Sequence, residues 1–353
     1  MARQRIISGG RGDEREEQSN WALRPRCLAE CIGQQQVIEQ LRIALEAAKK
    51  RREPLEHVLL DGPPGLGKTT LAHVVAEEMG VADRIRVTSG PAIVKQADLM
   101  STLTNLEEGD VLFIDEVHRL NKVVEEFLYP AMEDFRVDYT IEGGLGGRTV
   151  NFRLKRYTLI GATTRAGMLT AAMRDRFGLR YHLDFYEPED LIEIMRRSAD
   201  MLEIDADADA LRMISDRSRG TPRVANRLLR RVRDYAQVRA DGRLEPDVVE
   251  KALAIEEIDG LGLDKLDRAF LRTLIDTYRG GPAGIEAVAA TMGQSRDTLE
   301  DMVEPFLLQR GFVTRTRQGR CATHRAYEHI GVPIPSDANS AETSAGERTL
   351  FDE

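Results

Sequence analysis

A glycine-rich segment at 62–70 has the residue types and spacing of a phosphate-binding loop. It matches the pattern G-x-x-x-x-G-K-[ST] and lies between a short apolar run and a helical pattern. Glycines such as Gly65 and Gly67 let backbone N–H groups surround phosphate oxygens, while Lys68 neutralises the β and γ phosphates. Thr69 offers its hydroxyl to Mg²⁺. The segment therefore predicts a site for ATP and Mg²⁺, and a glycine-rich turn without function is much the weaker interpretation.

Two adjacent carboxylates end the apolar run at 111–114. A nucleoside triphosphate that is cleaved needs one carboxylate for its metal and another for the attacking water. We expect Asp115 to hold the Mg²⁺ shell and Glu116 to polarise the water. An Asp-Glu pair that only faces solvent is the alternative, and its position after the phosphate loop makes it the less favoured one.

Hydroxyl and guanidinium groups follow a third apolar run, at 157–160. Thr164 lies at the expected carboxyl edge of the sheet, where it would sense the γ-phosphate or help to place the water. Arg174 and Arg176 present fixed positive charge, which a phosphoryl-transfer transition state needs and a neighbouring subunit can supply. In that case the monomer would be inactive. A surface arginine paired with Asp175 explains the same pattern equally well.

Three short apolar runs, with helical patterns between them, position these groups. The runs at 57–60, 111–114 and 157–160 are too short for helices. Short buried strands spaced by helices predict an α/β fold with a parallel sheet covered on both faces. Strand signals then disappear, and 189–254 predicts a small all-helical domain. In it Arg223 begins a helix and could reach the nucleotide.

The third unit combines two helices, a turn and a short hairpin, which together predict a winged helix. The helices are expected at 285–292 and 296–309, with Ser295 as the N-cap of the second, followed by a hairpin at 312–323. Between the acids at 304 and 328 this unit contains five arginines and no acidic residue. The net charge of −9 of the whole chain therefore hides a local cationic surface suited to phosphates. These arginines are Arg310, Arg315, Arg317, Arg320 and Arg325. Winged helices also dock proteins, and that alternative stays open.

Composition argues against several other classes of protein. The chain has 353 residues, of which 42% are apolar and 31% charged, as expected for two or three globular domains. The sequence contains no run of about 18 apolar residues, which a membrane span needs, and no apolar segment follows the N-terminal arginines, as a signal peptide would require. We therefore expect a cytoplasmic protein without a membrane span. The three cysteines form no CxxC pair and none of the six histidines has i, i+4 spacing, which disfavours disulfides and zinc.

The ordered set of motifs is more specific than a phosphate loop alone. Over nearly its whole length apart from the two ends, the sequence resembles the RuvB family of AAA+ motors, which drive branch migration of Holliday junctions. Besides the phosphate loop, the resemblance is carried by Leu23-Arg24-Pro25, Ile32-Gly33-Gln34, Thr88-Ser-Gly-Pro-Ala92, Ile114-Asp-Glu-Val-His-Arg-Leu120, Gly161-Ala-Thr-Thr-Arg165, Arg174-Asp-Arg-Phe-Gly178, Gly220-Thr-Pro-Arg223, Gly311-Phe312 and Gly319-Arg320.

The resemblance implies a homohexameric, nucleoid-associated ring around double-stranded DNA, with ATP and Mg²⁺ bound between subunits, acting in recombination and DNA repair. It implies a junction-binding partner, RuvA, docked on a hairpin at 137–154, and leaves the resolvase RuvC as a further candidate partner. By matching positions it places nucleotide contacts at Leu23, Arg24, Gly65, Lys68, Thr69, Thr70, Glu133, Asp134, Phe135, Tyr186 and Arg223. Arg176 matches the contact-making arginine, with Arg174 as its competitor. The DNA contacts fall on Arg296, Arg315 and Arg320.

The resemblance also divides the chain into domains, between two ends whose composition predicts disorder. We expect a disordered tail at 1–20, a large AAA+ ATPase domain at 21–186, a small helical ATPase domain at 187–257, a winged-helix head at 258–335 and a disordered tail at 336–353. The expected hairpin departs from the family's pattern, because 143–148 is richer in glycine and 152–156 is more basic.

Three functions use such parts, and an ATP-driven DNA translocase is the leading hypothesis. A protein remodeller or loader would use the same engine on a polypeptide, but 91–105 contains no aromatic-hydrophobic-glycine pore loop. A nucleotide-switched DNA-binding module that hydrolyses slowly stays open, because the same parts serve it. Strand movement coupled to turnover separates it from the translocase.

Overall fold

The computed structural model describes residues 22–141 and 148–334 of the chain. These residues form two compact units, 22–206 with 220–226 and 207–219 with 227–334. The two predicted disordered tails and the glycine-rich stretch 143–147 lie outside the described residues.

A five-stranded parallel sheet forms the centre of the first unit. Its strands, with those of a separate hairpin, are β1 (Val58–Asp61), β2 (Ile85–Ser89), β3 (Val111–Asp115), β4 (Arg136–Ile141), β5 (Arg148–Arg153), β6 (Thr158–Thr163) and β7 (Leu179–His182). The sheet has the order β2-β3-β6-β1-β7, and β4 pairs with β5 in an antiparallel hairpin. The predicted α/β fold with a parallel sheet is thus confirmed.

The two edge strands, β2 and β7, are absent from the sequence prediction. Their sequences, Ile-Arg-Val-Thr-Ser and Leu-Arg-Tyr-His, mix apolar with charged side chains. Central strands of a covered parallel sheet are almost continuously apolar, whereas edge strands tolerate polar residues. Only the three inner strands therefore produce the apolar runs that sequence analysis detects.

Helices cover both faces of the sheet. They are α1 (Gln35–Arg51), α2 (Lys68–Glu78), α3 (Gln96–Thr104), α4 (Lys122–Glu133), α5 (Ala171–Asp175) and α6 (Pro188–Met201). Alternate residues of β3 point to opposite faces. Phe113 joins the core that contains α1 and α2, and Leu112 and Ile114 join the core that contains α3 and α4. The end of β3 consequently lies between two packed layers, which fixes the position of the carboxylates that follow.

The second unit contains the remaining helices of the predicted helical domain and the whole winged helix. Its elements are α7 (Ala208–Asp216), α8 (Pro222–Arg239, whose first residues belong to the first unit), α9 (Pro246–Ile255), α10 (Lys265–Arg272), α11 (Ile285–Met292), α12 (Arg296–Thr298), α13 (Glu304–Gln309), β8 (Val313–Arg315), β9 (Arg320–Ala322) and α14 (His324–Ile330). Single π-helical turns, Thr273–Thr277 and Leu299–Val303, extend α10 and join α12 to α13. Helices and hairpin confirm the predicted winged-helix fold.

Local capping explains the turn between α11 and α12. Gly293 ends α11 in the left-handed region, with φ of +63°, and the side chain of Ser295 accepts a hydrogen bond from the backbone N–H of Thr298. The predicted N-cap is therefore confirmed. Phe270, Val288 and Phe312 are fully buried in the core beneath, which places the hairpin against the helices.

Within the part of the chain that the structure describes, no helix is both long and apolar enough to cross a membrane.

Candidate nucleotide site and winged-helix arginines

The phosphate loop connects the end of β1 to the start of α2, and its shape depends on glycine. Gly62, Gly65 and Gly67 have φ values of +135°, +83° and +96°, a region that favours residues without a Cβ. At Gly62 an added Cβ would lie 2.3 Å from the carbonyl oxygen of Leu183. The segment therefore forms the predicted loop, and a residue with a Cβ does not fit at Gly62.

Lys68 is buried against the loop. Its side-chain Nζ donates hydrogen bonds to the carbonyl oxygens of Gly62 at 2.7 Å and Pro63 at 2.8 Å. Burial lowers the pKa of Lys68 to about 8; the charge of Asp115 opposes this shift and that of Arg223 adds to it. An anion placed beside this buried ammonium group would strongly stabilise its charged form.

The first turn of α2 supplies backbone donors. The helix begins at Lys68, and its N-cap Gly67 provides no side-chain cap. The first N–H groups of a helix have no acceptor within it, and they carry the partial positive charge of the helix dipole. Thr69 and Thr70 stand in this turn, half-buried. The turn therefore has the features of an anion-binding site.

Four further predicted nucleotide contacts differ in how the structure places them. The backbone N–H of Arg223 lies 3.4 Å from the carbonyl oxygen of Gly65, and the Tyr186 hydroxyl lies 3.4 Å from that of Leu66. Burial, and in smaller part the charge of Arg24, lowers the pKa of His73 on α2 to about 4. Leu23, next to Arg24, is also buried. The structure thus places Arg223 and Tyr186 beside the phosphate loop, and Arg24 near α2.

Asp115 and Glu116 stand where β3 ends. Glu116 has a φ of +48°, and its backbone N–H donates to Oδ1 of Asp115 at 2.9 Å. The Glu116 carboxylate is exposed and lies 3.2 Å from Nη1 of Arg119. A Cβ added to Gly90 would lie 2.4 Å from the carbonyl oxygen of Glu116. Sequence analysis assigned Gly90 no role, because only the pairing of β2 with β3 in the fold brings it beside Glu116.

The hydroxyl groups after β6 differ in their surroundings. Thr163 is buried, its hydroxyl lies 2.9 Å from Nδ1 of His118, and it accepts a hydrogen bond from the backbone N–H of Arg165. Thr164, the residue singled out by the sequence analysis, follows the strand and is half-buried. Sequence analysis gave no role to Thr163 or His118, since two adjacent threonines give no signal of which one faces inward.

A second cluster forms at the ends of α4 and α5. Arg176 donates from Nη1 to the carbonyl oxygen of Ala172 at 2.7 Å, and its Nη2 lies 3.2 Å from Oε2 of Glu133. The guanidinium carbon lies 4.2 Å from the ring centre of Tyr129. These contacts are all with α4 and α5, whereas those of Lys68 are with the phosphate loop. Within one chain the structure therefore assembles two groups, one around Lys68 and one around Arg176.

The neighbours of this second cluster also match predicted contacts. Phe135 has a φ of +51° and packs edge-on against Tyr157, with ring centres 5.8 Å apart. Asp134 lies 3.1 Å from Arg136. Arg174 is half-buried and, among the described residues, has no ion pair. Of the two candidate arginines, only Arg176 is held by its surroundings.

Three winged-helix arginines, Arg296, Arg315 and Arg320, are ion-paired, contrary to the expectation of an acid-free cationic surface. Arg320 is 13% exposed and binds Glu304, which is 1% exposed, at 2.6 Å. Arg315 also binds Glu304, while Arg296 lies 3.2 Å from Glu300. Counting charges from 304 to 328 missed the pairs of Arg315 and Arg320, because the hairpin folds back onto the preceding helices and meets their carboxylates.

The two arginines beside Glu304 change the ionisation of its carboxyl group. Burial alone would raise the pKa of Glu304, but hydrogen bonds from Arg320 and Arg315 outweigh that effect and lower it. Arg315 and Arg296 nevertheless keep 55% and 53% of their side chains exposed. Arg317, in the hairpin turn, is exposed and has no ion pair within the described ranges. Positive charge therefore remains accessible around a buried acidic centre.

Among residues 22–141 and 148–334, no group of three or more His, Cys, Asp or Glu side chains could hold a metal ion. A metal at Asp115 would therefore need further ligands from elsewhere, such as the hydroxyl of Thr69 and nucleotide oxygens.

Three family models together match residues 23–331 of the chain. Residues 23–183 match the Holliday junction DNA helicase RuvB P-loop domain, 186–259 the RuvB AAA lid domain, and 260–331 the RuvB C-terminal winged helix domain. The chain is 52% identical over 340 residues to the Holliday junction branch migration complex subunit RuvB of Dehalococcoides mccartyi, covering 96% of this chain and 97% of that protein.

Solved structures agree with the sequence match. The Thermotoga maritima RuvB Holliday junction branch migration motor is 50% identical with a TM-score of 0.81, covering 89% of this chain and 99% of that one. A mutant of the Thermotoga protein gives a TM-score of 0.83 at 50% identity, with coverage of 89% and 100%. The chain therefore belongs to the RuvB family of P-loop AAA+ ATPases.

Proposed function

We propose that this protein is an ATP-driven DNA translocase that drives branch migration of Holliday junctions. The observation that carries the proposal is the buried Lys68 in a phosphate loop, joined in one chain to a winged helix. A full-length relative named as a branch migration complex subunit supports it. Energy from the nucleotide site would move DNA held by the winged helix.

Each residue around the phosphate loop receives a role in this proposal. Lys68 neutralises the β and γ phosphates, and the first N–H groups of α2 hold their oxygens. Asp115 and Thr69 offer oxygen ligands, which Mg²⁺ prefers, and bound Mg²⁺ would neutralise charge that develops on the phosphates. Glu116 orients the attacking water, and Thr164 senses the γ-phosphate. Leu23, Arg24, Gly65, Gly67, Thr70, Tyr186 and Arg223 surround the nucleotide.

The second cluster acts on ATP bound by a neighbouring subunit. In the described part of the chain, the hydrogen bonds and the ring contact of Arg176 are with α4 and α5, not with the phosphate loop. A planar, permanently charged guanidinium suits a phosphoryl-transfer transition state. Glu133, Asp134 and Phe135 would accompany it at the boundary. Shared sites of this kind require neighbouring subunits, which we propose form a homohexameric ring.

DNA and partner proteins bind elsewhere on the chain. Arg296 and Arg315, both more than half exposed, would contact DNA phosphates. Arg320 would act at DNA through Arg315 and their shared carboxylate, because it is itself mostly buried. The hairpin at 137–154 would dock the junction-binding protein RuvA, with RuvC as a further partner. We place the protein in the cytoplasm at the nucleoid, with domains at 21–186, 187–257 and 258–335.

ATP-dependent dissociation of a synthetic four-way junction tests the proposal. We expect wild-type protein with a junction-binding partner to separate the arms, and Lys68→Ala to abolish both hydrolysis and movement. Brisk hydrolysis and DNA binding without junction movement would contradict the translocase and favour a protein remodeller or nucleotide switch. Retained hydrolysis in Lys68→Ala would contradict the assignment of the site.

A further inference from the structure

We propose that Tyr129 is a positioning residue for Arg176, and that it holds the guanidinium ready to act on ATP bound by a neighbouring subunit. The inference rests on the proposed role of Arg176 at that boundary. Sequence analysis gave Tyr129 no role, and nothing in the phosphate-loop motif points to it.

The ring of Tyr129 forms a platform beneath the guanidinium. The distance of 4.2 Å from the Arg176 guanidinium carbon to the ring centre lies well inside the range of a cation–π contact. Arg176 is 21% exposed, so this contact is largely shielded from water, which strengthens it. A long, flexible arginine is thereby kept on one face of one ring.

Two hydrogen bonds fix the edges of the same guanidinium. Nη1 donates to the backbone of Ala172, and Nη2 donates to Glu133. The Nε atom of Arg176 is buried and has no hydrogen-bond partner within the described part of the chain. A buried donor without an acceptor is unfavourable. The surroundings thus hold Arg176 in a pose that its own hydrogen bonding does not fully satisfy.

A buried carboxylate secures the platform and the helix together. Glu125, 9% exposed, accepts a hydrogen bond from the Tyr129 hydroxyl at 2.7 Å and another from the Thr170 hydroxyl. Thr170 is the N-cap of α5 and accepts from the backbone N–H of Met173. Since Arg176 ends α5, one carboxylate fixes both the ring and the helix that carries the arginine.

The hydroxyl of Tyr129 stays a donor under working conditions. Burial raises the pKa of Tyr129, the hydroxyl of Thr170 opposes that shift, and the carboxylate of Glu125 adds to it. The hydroxyl is therefore protonated at neutral pH, as its hydrogen bond to Glu125 requires. Arg174 lies on the same helix without such a support, which agrees with a role for Arg176 alone.

Replacing the ring tests the proposal. In Tyr129→Leu we expect kcat for ATP to fall about 100-fold, because a displacement of about 1 Å of a charged group costs that much. The affinity of the mutant's own phosphate loop for nucleotide should stay unchanged. Tyr129→Phe keeps the platform and should recover most of the turnover. An equal loss of kcat in Phe and Leu variants would overturn the role of the ring.

Mixing subunits separates positioning from misfolding. Tyr129→Leu subunits have an intact Lys68, and Lys68→Ala subunits have an intact Tyr129 and Arg176. Mixed rings therefore contain complete boundaries, and turnover should rise well above that of Tyr129→Leu alone, which is about 100-fold reduced, and of Lys68→Ala alone, which is inactive. No recovery with Tyr129→Leu, where Arg176→Ala does recover, would overturn the positioning role.

Arg176→Ala separates failure of the proposed role of Arg176 from failure of the positioning role of Tyr129. If Arg176→Ala alone retains full turnover, the proposed role of Arg176 fails, and the positioning role fails with it. If Arg176→Ala is inactive but Tyr129→Leu is fully active, only the positioning role is overturned.

The contact of Arg176 with Glu133 has its own test. Glu133→Gln should lower kcat, and the matched control is Glu126→Gln on the same helix, because the two carboxylates are similarly exposed, 56% and 58%. An equal effect of the two would contradict the contribution of Glu133.

Discussion

The guanidinium of Arg320 and the carboxylate of Glu304 form a two-point ion pair inside the winged helix, with N–O distances of 2.6 and 3.1 Å. Glu304 is almost completely buried. Removing one member of a buried pair leaves the other charge without compensation, which costs about 3–5 kcal/mol. Arg320 therefore supports the fold of this domain in addition to any effect at DNA.

Arg320→Ala should destabilise the winged helix by about 3 kcal/mol, because Glu304 keeps only Arg315 as its partner. Chemical denaturation of the full chain, followed by a probe in the winged helix, measures the effect. Arg317→Ala is the matched control, since Arg317 lies in the same hairpin and is exposed, and its transition should not move. An unchanged transition in Arg320→Ala would contradict the structural role.

Arg315→Ala should weaken DNA binding nearly equally for all sequences and reduce the slope of log K against log salt by about one unit. Arg315 is exposed, and in its absence Arg320 still pairs with Glu304. Binding to duplex DNA over a range of salt concentrations measures the slope, with unfolding measured alongside. If the slope does not change, the surface is better explained as a protein-docking site.

Nucleotide binding should take up a proton at slightly alkaline pH. Because burial lowers the pKa of Lys68 to about 8, roughly half of these side chains are neutral at pH 8. Phosphate favours the charged form, so affinity should fall as the pH rises above 8. Titration calorimetry in two buffers of different ionisation enthalpy detects the uptake. It should vanish in Lys68→Arg, because arginine stays charged. Equal heats for the wild type in both buffers would rule the shift out.

Gly90→Ala should impair hydrolysis more than nucleotide binding. The added Cβ would collide with the backbone of Glu116 and displace its carboxylate, and a displacement of about 1 Å costs roughly 100-fold in rate. Gly167→Ala is the control, since Gly167 also lies in a 3-10 turn and an added Cβ there meets nothing within 4 Å. Equal turnover in the two variants would show that the close approach does not matter.

The local parts of the nucleotide site could be predicted from the sequence, and the relationships between distant segments could not. The loop around Lys68 is specified by adjacent glycines, and the end of β3 by a run of apolar residues before Asp115. Gly90 gives no comparable signal, because its constraint is the backbone of Glu116, which only the pairing of β2 with β3 brings close.

The charges of the winged helix show the same limit. The sequence correctly predicts its helices and hairpin from periodicity and from Ser295 as a cap. It does not predict that Arg320 turns inward to Glu304, because the pair joins residues sixteen positions apart across a fold-back. Similarly, the contact of Tyr129 with Arg176 depends on how α4 packs beside α5.

The decisive measurement is ATP turnover, with four-way junction dissociation in parallel, for Lys68→Ala, Arg176→Ala and their mixture. Each variant alone should be inactive in both assays. The mixture should recover turnover, because some boundaries then combine an intact Lys68 with an intact Arg176 from the next subunit. Full turnover by Arg176→Ala alone, or no recovery in the mixture, would contradict a site shared between subunits.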